Sequence, residues 1–142
     1  MADTALPGPY VQTAAFVETV LNERDGVLSL IRLIDRIFVN VPAGAPPELP
    51  EGGNLTVRLA IMLKAGDARG RHQVSLHPHL PSGQDLESKV VEVFFEGDER
   101  GVNLIIDLEL PGMEGLYWVD VDVSGRVITR MPLRLIYQRL PN

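Results

Sequence analysis

The chain of 142 residues is long enough for one domain that buries its own core, and its 45% hydrophobic and 23% charged content excludes a disordered protein. A formal net charge of −6, without any basic cluster, argues against a nucleic-acid-binding role. The absence of cysteine excludes disulfides, thiol nucleophiles and thiolate metal sites.

The amino-terminal segment does not resemble a secretory signal. Residues 1–9 have neither a basic start nor an apolar run, so we expect a flexible segment ahead of a single domain over residues 10–142. No stretch of the sequence has the apolar length that a bilayer-spanning helix needs. From these missing signals we expect a cytoplasmic protein with neither a membrane nor a nucleic acid as its partner.

Eight apolar-rich runs separated by turn residues predict eight strands. Their predicted ranges are residues 10–21, 27–39, 55–65, 72–80, 89–96, 102–110, 116–122 and 126–137. This spacing is typical of a sandwich, and we expect an all-β fold, a two-layer antiparallel β-sandwich with immunoglobulin-like Greek-key order.

The first two runs leave an alternative open. Residues 14–22, which precede Gly26, and residues 28–37 also tolerate a helical pattern. The branched residues of 27–39, and an Asp25-Gly26 turn between runs of similar length, favour a β-hairpin.

Strict alternation of apolar and polar residues marks the third, fourth and sixth runs. Such period-two patterning places one face on a core and the other in water. The positions expected on the core side are Leu55, Val57, Leu59, Ile61, Leu63, Val74, Leu76, Leu80, Leu104, Ile106, Leu108 and Leu110.

The last two runs predict a hairpin whose register follows from burial. A two-residue turn at 124–125 would put apolar and charged residues on one face. We therefore expect a three-residue loop over 123–125 with Gly125 in the left-handed conformation. This register places Trp118 opposite Arg130 on the outer side.

Two resemblances support these predictions. The segment Gly115-Leu116-Tyr117-Trp118-Val119 resembles the start of strand F in immunoglobulin-like sandwiches, where a tyrosine forms the tyrosine corner, although Val119 stands where antibody domains have cysteine. Nearly the whole chain resembles an uncharacterised family of small bacterial β-sandwich proteins, through residues 15–20, the Asp25-Gly26 turn, residues 28–37 and the same Gly-Leu-Tyr-Trp-Val segment. This family resemblance implies a β-sandwich and brings no activity, cofactor or catalytic residue.

Two histidines and one aspartate are the candidates for chemistry. His77 and His79 lie two apart on the exposed face of a strand, but a zinc or iron site needs a third ligand that the sequence does not identify. Solvated residues on an edge strand that accommodates Pro78 are favoured, and we expect no metal and no cofactor. Asp35 shares a predicted face with buried positions, which indicates either a catalytic acid or, preferably, a carboxylate that binds an arginine or backbone amides.

Other catalytic patterns are missing from the sequence. No serine lies in a Gly-x-Ser-x-Gly elbow, and no phosphate-binding loop, dinucleotide motif or His-Glu-x-x-His motif occurs. The carboxylates of Asp98, Glu99, Asp120 and Asp122 lack calcium-loop spacing and are expected in solvent. The sequence therefore predicts a protein that is not an enzyme.

Two flat faces are the candidate binding surfaces. If the first, second, fifth and sixth strands form one sheet, its outward side is too apolar to be left in water. The interface residues predicted there are Phe16, Val20, Leu30, Arg32, Ile34, Arg36, Phe38, Phe94 and Ile105. The other sheet presents Trp118 with Arg130 and Arg134, which has the composition of an interaction hot spot, although a solvated sheet with a cation–π pair is the simpler interpretation.

The sequence thus predicts a non-enzymatic interaction module that docks on a protein partner or forms a homodimer. A rival arrangement is that residues 41–54 or the amino-terminal segment cover the apolar face. The alternative functions are a small-ligand or carbohydrate-binding β-sandwich and, less favoured, a hydrolase that uses Asp35.

Overall fold

The computed structural model describes residues 6–46 and 54–141, and all regular structure in this part of the chain is β-strand. Its nine strands are β1 (Tyr10–Asn22), β2 (Leu28–Ile34), β3 (Arg36–Val41), β4 (Asn54–Gly66), β5 (Gly70–His79), β6 (Lys89–Phe95), β7 (Asp98–Pro111), β8 (Gly115–Val123) and β9 (Arg126–Arg139). The predicted all-β class and the strand interpretation of the first hairpin are confirmed. Within these ranges there is no helix that could span a membrane.

The strands form two sheets. Strands β2, β1, β4 and β7 make an antiparallel four-stranded sheet in that order, and β3, β9, β8, β5 and β6 make a five-stranded sheet in which β3 runs parallel to β9. One of the two sheets is curled into a half-barrel. The predicted grouping of the first, second, fifth and sixth runs is wrong, because β6 belongs to the five-stranded sheet and β4 lies beside β1. Alternation along a strand indicates its two faces, but it does not identify its neighbours.

The core combines side chains from both sheets. The alternation predicted on β4, β5 and β7 is confirmed, since the inward positions are buried or packed against the core cluster. The most deeply buried of them are Leu59, Ile61, Leu63, Val74, Leu76 and Leu110, and β8 adds Tyr117, Val119 and Val121. Full burial of an aliphatic or aromatic side chain of this size stabilises the fold by about 1.5–3 kcal/mol.

Tyr117 ties the start of β8 to the preceding turn. Its buried hydroxyl donates to the carbonyl oxygen of Met113 at 2.6 Å and also contacts the carbonyl oxygen of Pro111. Hydrogen bonds from a tyrosine hydroxyl to the backbone a few residues upstream are the contacts of a tyrosine corner, which the resemblance of residues 115–119 implied. Burial raises the pKa of Tyr117 to about 12, so the hydroxyl remains a neutral donor at physiological pH.

The second predicted strand is in fact two strands in different sheets. The chain leaves the four-stranded sheet after Ile34 and enters the five-stranded sheet at Arg36, and between them the carbonyl oxygen of Asp35 accepts a hydrogen bond from the Arg134 amide at 3.0 Å. The Asp35 side chain is 75% exposed and pairs with the Arg36 Nε at 3.1 Å. The predicted buried carboxylate is therefore wrong, because the face assignment assumed one uninterrupted strand.

The β8–β9 hairpin has a two-residue turn, although such a turn was predicted to place apolar and charged residues on one face. Ser124 and Gly125 both have positive φ, at 49° and 87°, and Val123 pairs with Arg126. A β-bulge between Val121 and Asp122 then restores the inward and outward alternation. The predicted three-residue loop is wrong, and so is the predicted pairing of Trp118 with Arg130, since Pro132 lies opposite Trp118 and Arg130 lies opposite Asp120.

The described end of the amino-terminal segment lies against the β4–β5 turn. The Asp67 amide donates to the Leu6 carbonyl at 3.0 Å, and the Gly8 amide donates to the Asp67 carboxylate at 2.6 Å. Residues 1–5 lie outside the described residues, and the division into a segment over 1–9 and a domain over 10–142 stays a prediction.

Candidate functional site

The outward side of the four-stranded sheet is mostly apolar on the β1–β2 hairpin, and it mixes polar and apolar side chains on β4 and β7. Cross-strand pairing places Leu33, Val17, Arg58 and Asp107 in one row and Ala15, Ala60 and Ile105 in the next row on the same side, whereas Phe16, Leu59 and Ile106 point into the core. Paired residues share a face, so Ile31 beside Thr19 and Leu21 beside Ser29 extend this side. We call Ala15, Val17, Leu21, Ile31, Leu33, Ala60 and Ile105 the outer apolar face.

The large side chains of this face are open to solvent. Leu33 is 59% exposed, Leu21 44%, and Ile31 and Ile105 40% each, whereas Val17 and Ala60 between them are buried. Single exposed apolar residues are common on proteins, but a group of them on one sheet makes this face a candidate contact surface.

A single ion pair crosses the outer apolar face. The Arg58 Nε donates to the Asp107 Oδ1 at 2.8 Å and its Nη2 donates to Oδ2 at 3.3 Å. This hydrogen bond lowers the pKa of Asp107 and raises that of Arg58, so both groups keep their charges. The two charges compensate each other, which leaves the face without a net charge that would repel a second copy.

The β1–β2 hairpin projects beyond this sheet. Strand β1 pairs with β4 only from Tyr10 to Val17, but it pairs with β2 as far as Asn22. We call residues 18–33 the hairpin arm. On the side of the arm continuous with the core, Val20, Leu28 and Leu30 are only half-buried and lie outside the core cluster, and Glu18 pairs with the Arg32 Nε at 2.9 Å.

The predicted interface residues are distributed over three environments. Phe16 is 2% exposed and belongs to the core, so its predicted outward placement is wrong. Val20, Leu30, Arg32 and Ile34 lie on the same side of the hairpin as Phe16, and Ile34 packs against the core. Arg36, Phe38 and Phe94 are exposed but belong to the five-stranded sheet, and Ile105 alone of the predicted set lies on the outer apolar face.

The second predicted face is brought together by β8 and β9. Arg130, Pro132 and Arg134 alternate along β9 opposite Asp120, Trp118 and Leu116, which puts their side chains on one side of the five-stranded sheet. The Arg130 guanidinium carbon lies 5.9 Å from the centre of the Trp118 ring, within the range of a cation–π contact. Whether this face binds a partner stays a prediction.

The same face carries a polar network that the sequence did not reveal. The Asp120 carboxylate is 8% exposed and accepts from the Arg130 Nε at 2.5 Å and from its Nη2 at 3.3 Å. The His79 Nε2 lies 3.0 Å from Asp120 Oδ2, and the His79 Nδ1 lies 2.6 Å from Asp85 Oδ1. We call His79, Asp85, Asp120 and Arg130 the histidine clamp. The expectation of solvated side chains is wrong for His79 and Asp120.

The contacts within the histidine clamp shift the pKa values of His79 and Asp120 in opposite directions. The hydrogen bond to Asp85 is the largest cause that raises the pKa of His79, and the bond from Arg130 is the largest cause that lowers the pKa of Asp120. Both nitrogens of the ring lie at hydrogen-bonding distance from carboxylates, Nδ1 from Asp85 and Nε2 from Asp120.

Two serine hydroxyls contact histidines elsewhere. His77 Nδ1 lies 2.6 Å from Ser88 Oγ, and His72 Nδ1 lies 3.1 Å from Ser124 Oγ. The second nitrogen of His72 faces the carbonyl oxygen of Arg69 at 3.2 Å rather than a carboxylate. The orienting acid of a nucleophilic triad is thus replaced by a backbone group at His72.

Across residues 6–46 and 54–141, no group of three or more His, Cys, Asp or Glu side chains is arranged to hold a metal ion. Asp122, one of the four carboxylates without calcium-loop spacing, accepts from the Gly125 amide at 2.8 Å and thus supports the β8–β9 turn.

Clefts open on the surface of the described residues, and two of them lie at sheet edges. One, of about 330 Å³, forms where β1 separates from β4 and is lined by Val17, Glu18, Ile34 and Ile37 together with Thr56 and Arg58. The other, of about 750 Å³, lies between the end of β7 and the β5–β6 connection, with Leu86, Ser88, Lys89 and Glu109 in its walls. Lys89 Nζ donates to the carbonyl oxygen of Asp107 at 2.8 Å, which caps part of the β7 edge.

Comparison with known proteins adds no assignment. A scan against protein-family models finds no match. A search of the curated proteins finds no match either. The resemblance to a bacterial β-sandwich family stays a prediction, and the functional argument rests on the geometry of the chain itself.

Proposed function

We propose that this protein is a non-enzymatic interaction module, a β-sandwich of immunoglobulin-like type that acts in the cytoplasm and self-associates through its outer apolar face. The observation that carries the proposal is the exposure of Leu21, Ile31, Leu33 and Ile105 on one side of a single sheet, around a buried floor of small and branched residues. Such a surface is costly to leave in water and suited to docking.

The area of the face limits how it works. Strands β1, β4 and β7 run side by side where β1 pairs with β4, from Tyr10 to Val17. With strands about 4.8 Å apart and a rise of about 3.4 Å per residue, three strands over eight residues give a footprint of roughly 400 Å². A stable dimer buries about 800 Å² of accessible surface from each partner. The flat face alone is marginal for a stable dimer, so the hairpin arm contributes the remaining contact area.

The hairpin arm has what this role requires. A two-stranded ribbon in water is marginally stable, and this one carries apolar side chains on both sides. Packing against a second copy would remove water from Leu21 and Leu33 on one side while leaving the Glu18–Arg32 pair at the other. The neutral Arg58–Asp107 pair within the face imposes no like-charge penalty on a two-fold contact.

The alternative functions have less support. A small-ligand site requires a concave, mostly apolar pocket, whereas the two clefts are open and their walls include charged side chains such as Arg58 and Lys89. A hydrolase that uses Asp35 requires a companion group, and the partner of this exposed carboxylate is the neighbouring Arg36.

Sedimentation velocity across a range of micromolar concentrations tests self-association. We expect the wild-type protein to form a dimer and the Leu33→Asp variant to sediment as a monomer, because the new carboxylate would be buried without a partner. Phe94→Asp is the matched control, since Phe94 is 58% exposed but lies on the five-stranded sheet.

Three results would overturn the proposal. A wild-type monomer at every concentration would show that the outer apolar face does not mediate self-association. Equal loss of the dimer in both variants would show that the association does not depend on this sheet. A Leu33→Asp variant that still forms a dimer would place the contact elsewhere.

A further inference from the structure

The β5–β6 connection is fastened to β5 in part through two histidines. Residues 80–88 form this connection, which we call the clamp loop. It packs on the core through Leu80 and Leu86, and the Leu80 amide donates to the Gln84 carbonyl within the loop at 2.8 Å. The hydrogen bonds that join the loop to β5 are the Leu86 amide to the Pro78 carbonyl at 3.0 Å, His79 to Asp85 and His77 to Ser88. Two of these three involve imidazole rings.

The donor count at His79 decides how strongly the loop is held. A neutral imidazole has one N–H, whereas the imidazolium has two. The ring lies between two carboxylates, 2.6 Å from Asp85 and 3.0 Å from Asp120. Only the protonated ring donates to both, so loss of the proton leaves one carboxylate facing a lone pair.

The two carboxylates differ in what else holds them. Asp120 is held by two further bonds from Arg130, which keep its position and charge whatever the state of the ring. The Asp85 side chain is 71% exposed, and its bond to His79 loses its charge assistance when the ring is neutral, whichever nitrogen keeps the remaining hydrogen. Deprotonation therefore weakens the attachment of the loop while Asp120 stays in place.

Charged and titratable groups face the His79 ring from each element that packs against it. Asp85 faces it from the clamp loop, Asp120 from β8 and Arg130 through Asp120 from β9. On its own strand, His77 occupies the next position on the same side and lies opposite Asp120. The two carboxylates at hydrogen-bonding distance outweigh the more distant cation, which favours the imidazolium.

We propose that His79 is a proton-dependent clamp, which fastens the clamp loop when the ring is protonated and releases it when the ring is neutral. The cleft of about 750 Å³ has Leu86, Ser88 and Lys89 in its wall, so release of the loop also changes this cleft beside the β7 edge. The device lies in the five-stranded sheet and does not depend on self-association through the outer apolar face.

The pKa shift of His79 determines whether the clamp loop is held at low or at high pH, because a raised pKa in the folded protein means that the protonated ring stabilises the attachment. Because its contacts raise the pKa of His79 above its ordinary value of 6.5, the stabilisation is fully present below about pH 6.5. It is lost as the pH rises through the raised pKa of the folded protein. The loop is thus held on the acidic side and freed on the alkaline side.

The wild-type protein provides the direct test. Long-range ¹H–¹⁵N correlation spectra recorded against pH follow the protonation of His79, with His72 and His77 as references in the same spectra. Amide hydrogen exchange of Leu86, corrected for its intrinsic pH dependence, reports the attachment of the loop. We expect its protection to fall about threefold to tenfold as His79 deprotonates, while the amide of Val121 in β8 stays protected.

Two variants separate the charge effect from a simple loss of contact. In Asp85→Asn the amide side chain accepts from one state of the ring and donates to the other, so we expect a lower pKa of His79 and little pH dependence of Leu86 exchange. In Ser88→Ala a loop contact is lost without a change of charge, and the pH response should remain.

Two results would overturn the inference. The first is Leu86 exchange in the wild type that stays constant through the titration of His79. The second is an Asp85→Asn variant whose pH response equals that of the wild type.

Discussion

Replacement of Asp120 by alanine gives the most informative stability measurement. The carboxylate is 8% exposed and receives two bonds from Arg130 and one from His79. A hydrogen bond to a charged group contributes about 1.5–3 kcal/mol when it is buried. Arg130 and His79 are partly solvated, so water recovers much of that energy once the carboxylate is gone. We expect the free energy of unfolding to fall by about 2 kcal/mol.

The assay is urea unfolding followed by circular dichroism at two protein concentrations, since self-association would otherwise add to the measured stability. Asp107→Ala is the matched control, because Asp107 also pairs with an arginine across two strands but is half exposed. We expect a clearly smaller loss in this control. Equal losses in the two variants, or a loss below about 0.5 kcal/mol in Asp120→Ala, would refute the reasoning.

The loss of stability in Asp120→Ala should become smaller both at acidic and at alkaline pH. The pKa of Asp120 is lowered, chiefly by its hydrogen bond from Arg130, so its contribution is present above the ordinary carboxyl value of 3.8 and is lost as the pH falls through the lowered value. On the alkaline side, the share that depends on protonated His79 is lost as the pH rises through its raised pKa. The difference between wild type and variant should therefore be largest between these two limits.

Three further predictions concern single side chains. Tyr117→Phe removes the hydrogen bonds of the hydroxyl to the carbonyl oxygens of Met113 and Pro111, and the free energy of unfolding in urea should fall by about 1 kcal/mol, since these acceptors lie in a partly buried site. Lys89→Ala uncaps the Asp107 carbonyl on the β7 edge, and we expect faster growth of light scattering at 37 °C with little change in the unfolding midpoint. Gly66→Ala places a Cβ 2.3 Å from a backbone oxygen of the amino-terminal segment at φ +58°, and should destabilise the protein by about 1–3 kcal/mol in the same urea assay.

These three predictions have their own controls. Gly26→Ala also introduces a side chain at positive φ, but nothing lies within 4 Å of its Cβ, so it should cost less than the Gly66 change. Arg71→Ala removes a cation on β5 whose ion pair spans 3.8 Å, and it should leave light scattering unchanged. A Tyr117→Phe variant as stable as the wild type would show that the hydroxyl contributes no net stability.

The sequence allowed the strands and most of the core to be predicted because burial imposes a period of two. On β4 and β7 one side is polar and the other apolar, so the faces could be assigned correctly. In the first hairpin both sides are apolar, and the choice between Phe16 and Val17 as the outward residue had no basis in hydrophobicity. A one-residue difference reverses every side chain, which is why the outer apolar face differs from the predicted one.

The candidate sites, like the fold, could be predicted only in part from the sequence. Trp118, Arg130 and Arg134 could be placed on one side because strand alternation survives around the bulge. The histidine clamp could not be predicted, since it joins β5, the clamp loop, β8 and β9, and the pairing of Asp120 with Arg130 depends on that bulge. Only the short separation of His79 and Asp85 was a local signal that the loop returns to its own strand.

The parallel pairing of β3 with β9 has a consequence for how the chain acquires its structure. β9 is the last strand in chain order, and β3 obtains its sheet partner from it, as the Leu140 amide also bonds the Val41 carbonyl at 2.8 Å. Paired residues such as Val41 and Arg139 lie 98 positions apart in the chain, and contacts between residues so distant in sequence slow folding. During synthesis β3 therefore has no sheet partner until β9 has left the ribosome, whereas β1 and β2 can already pair with each other and with β4.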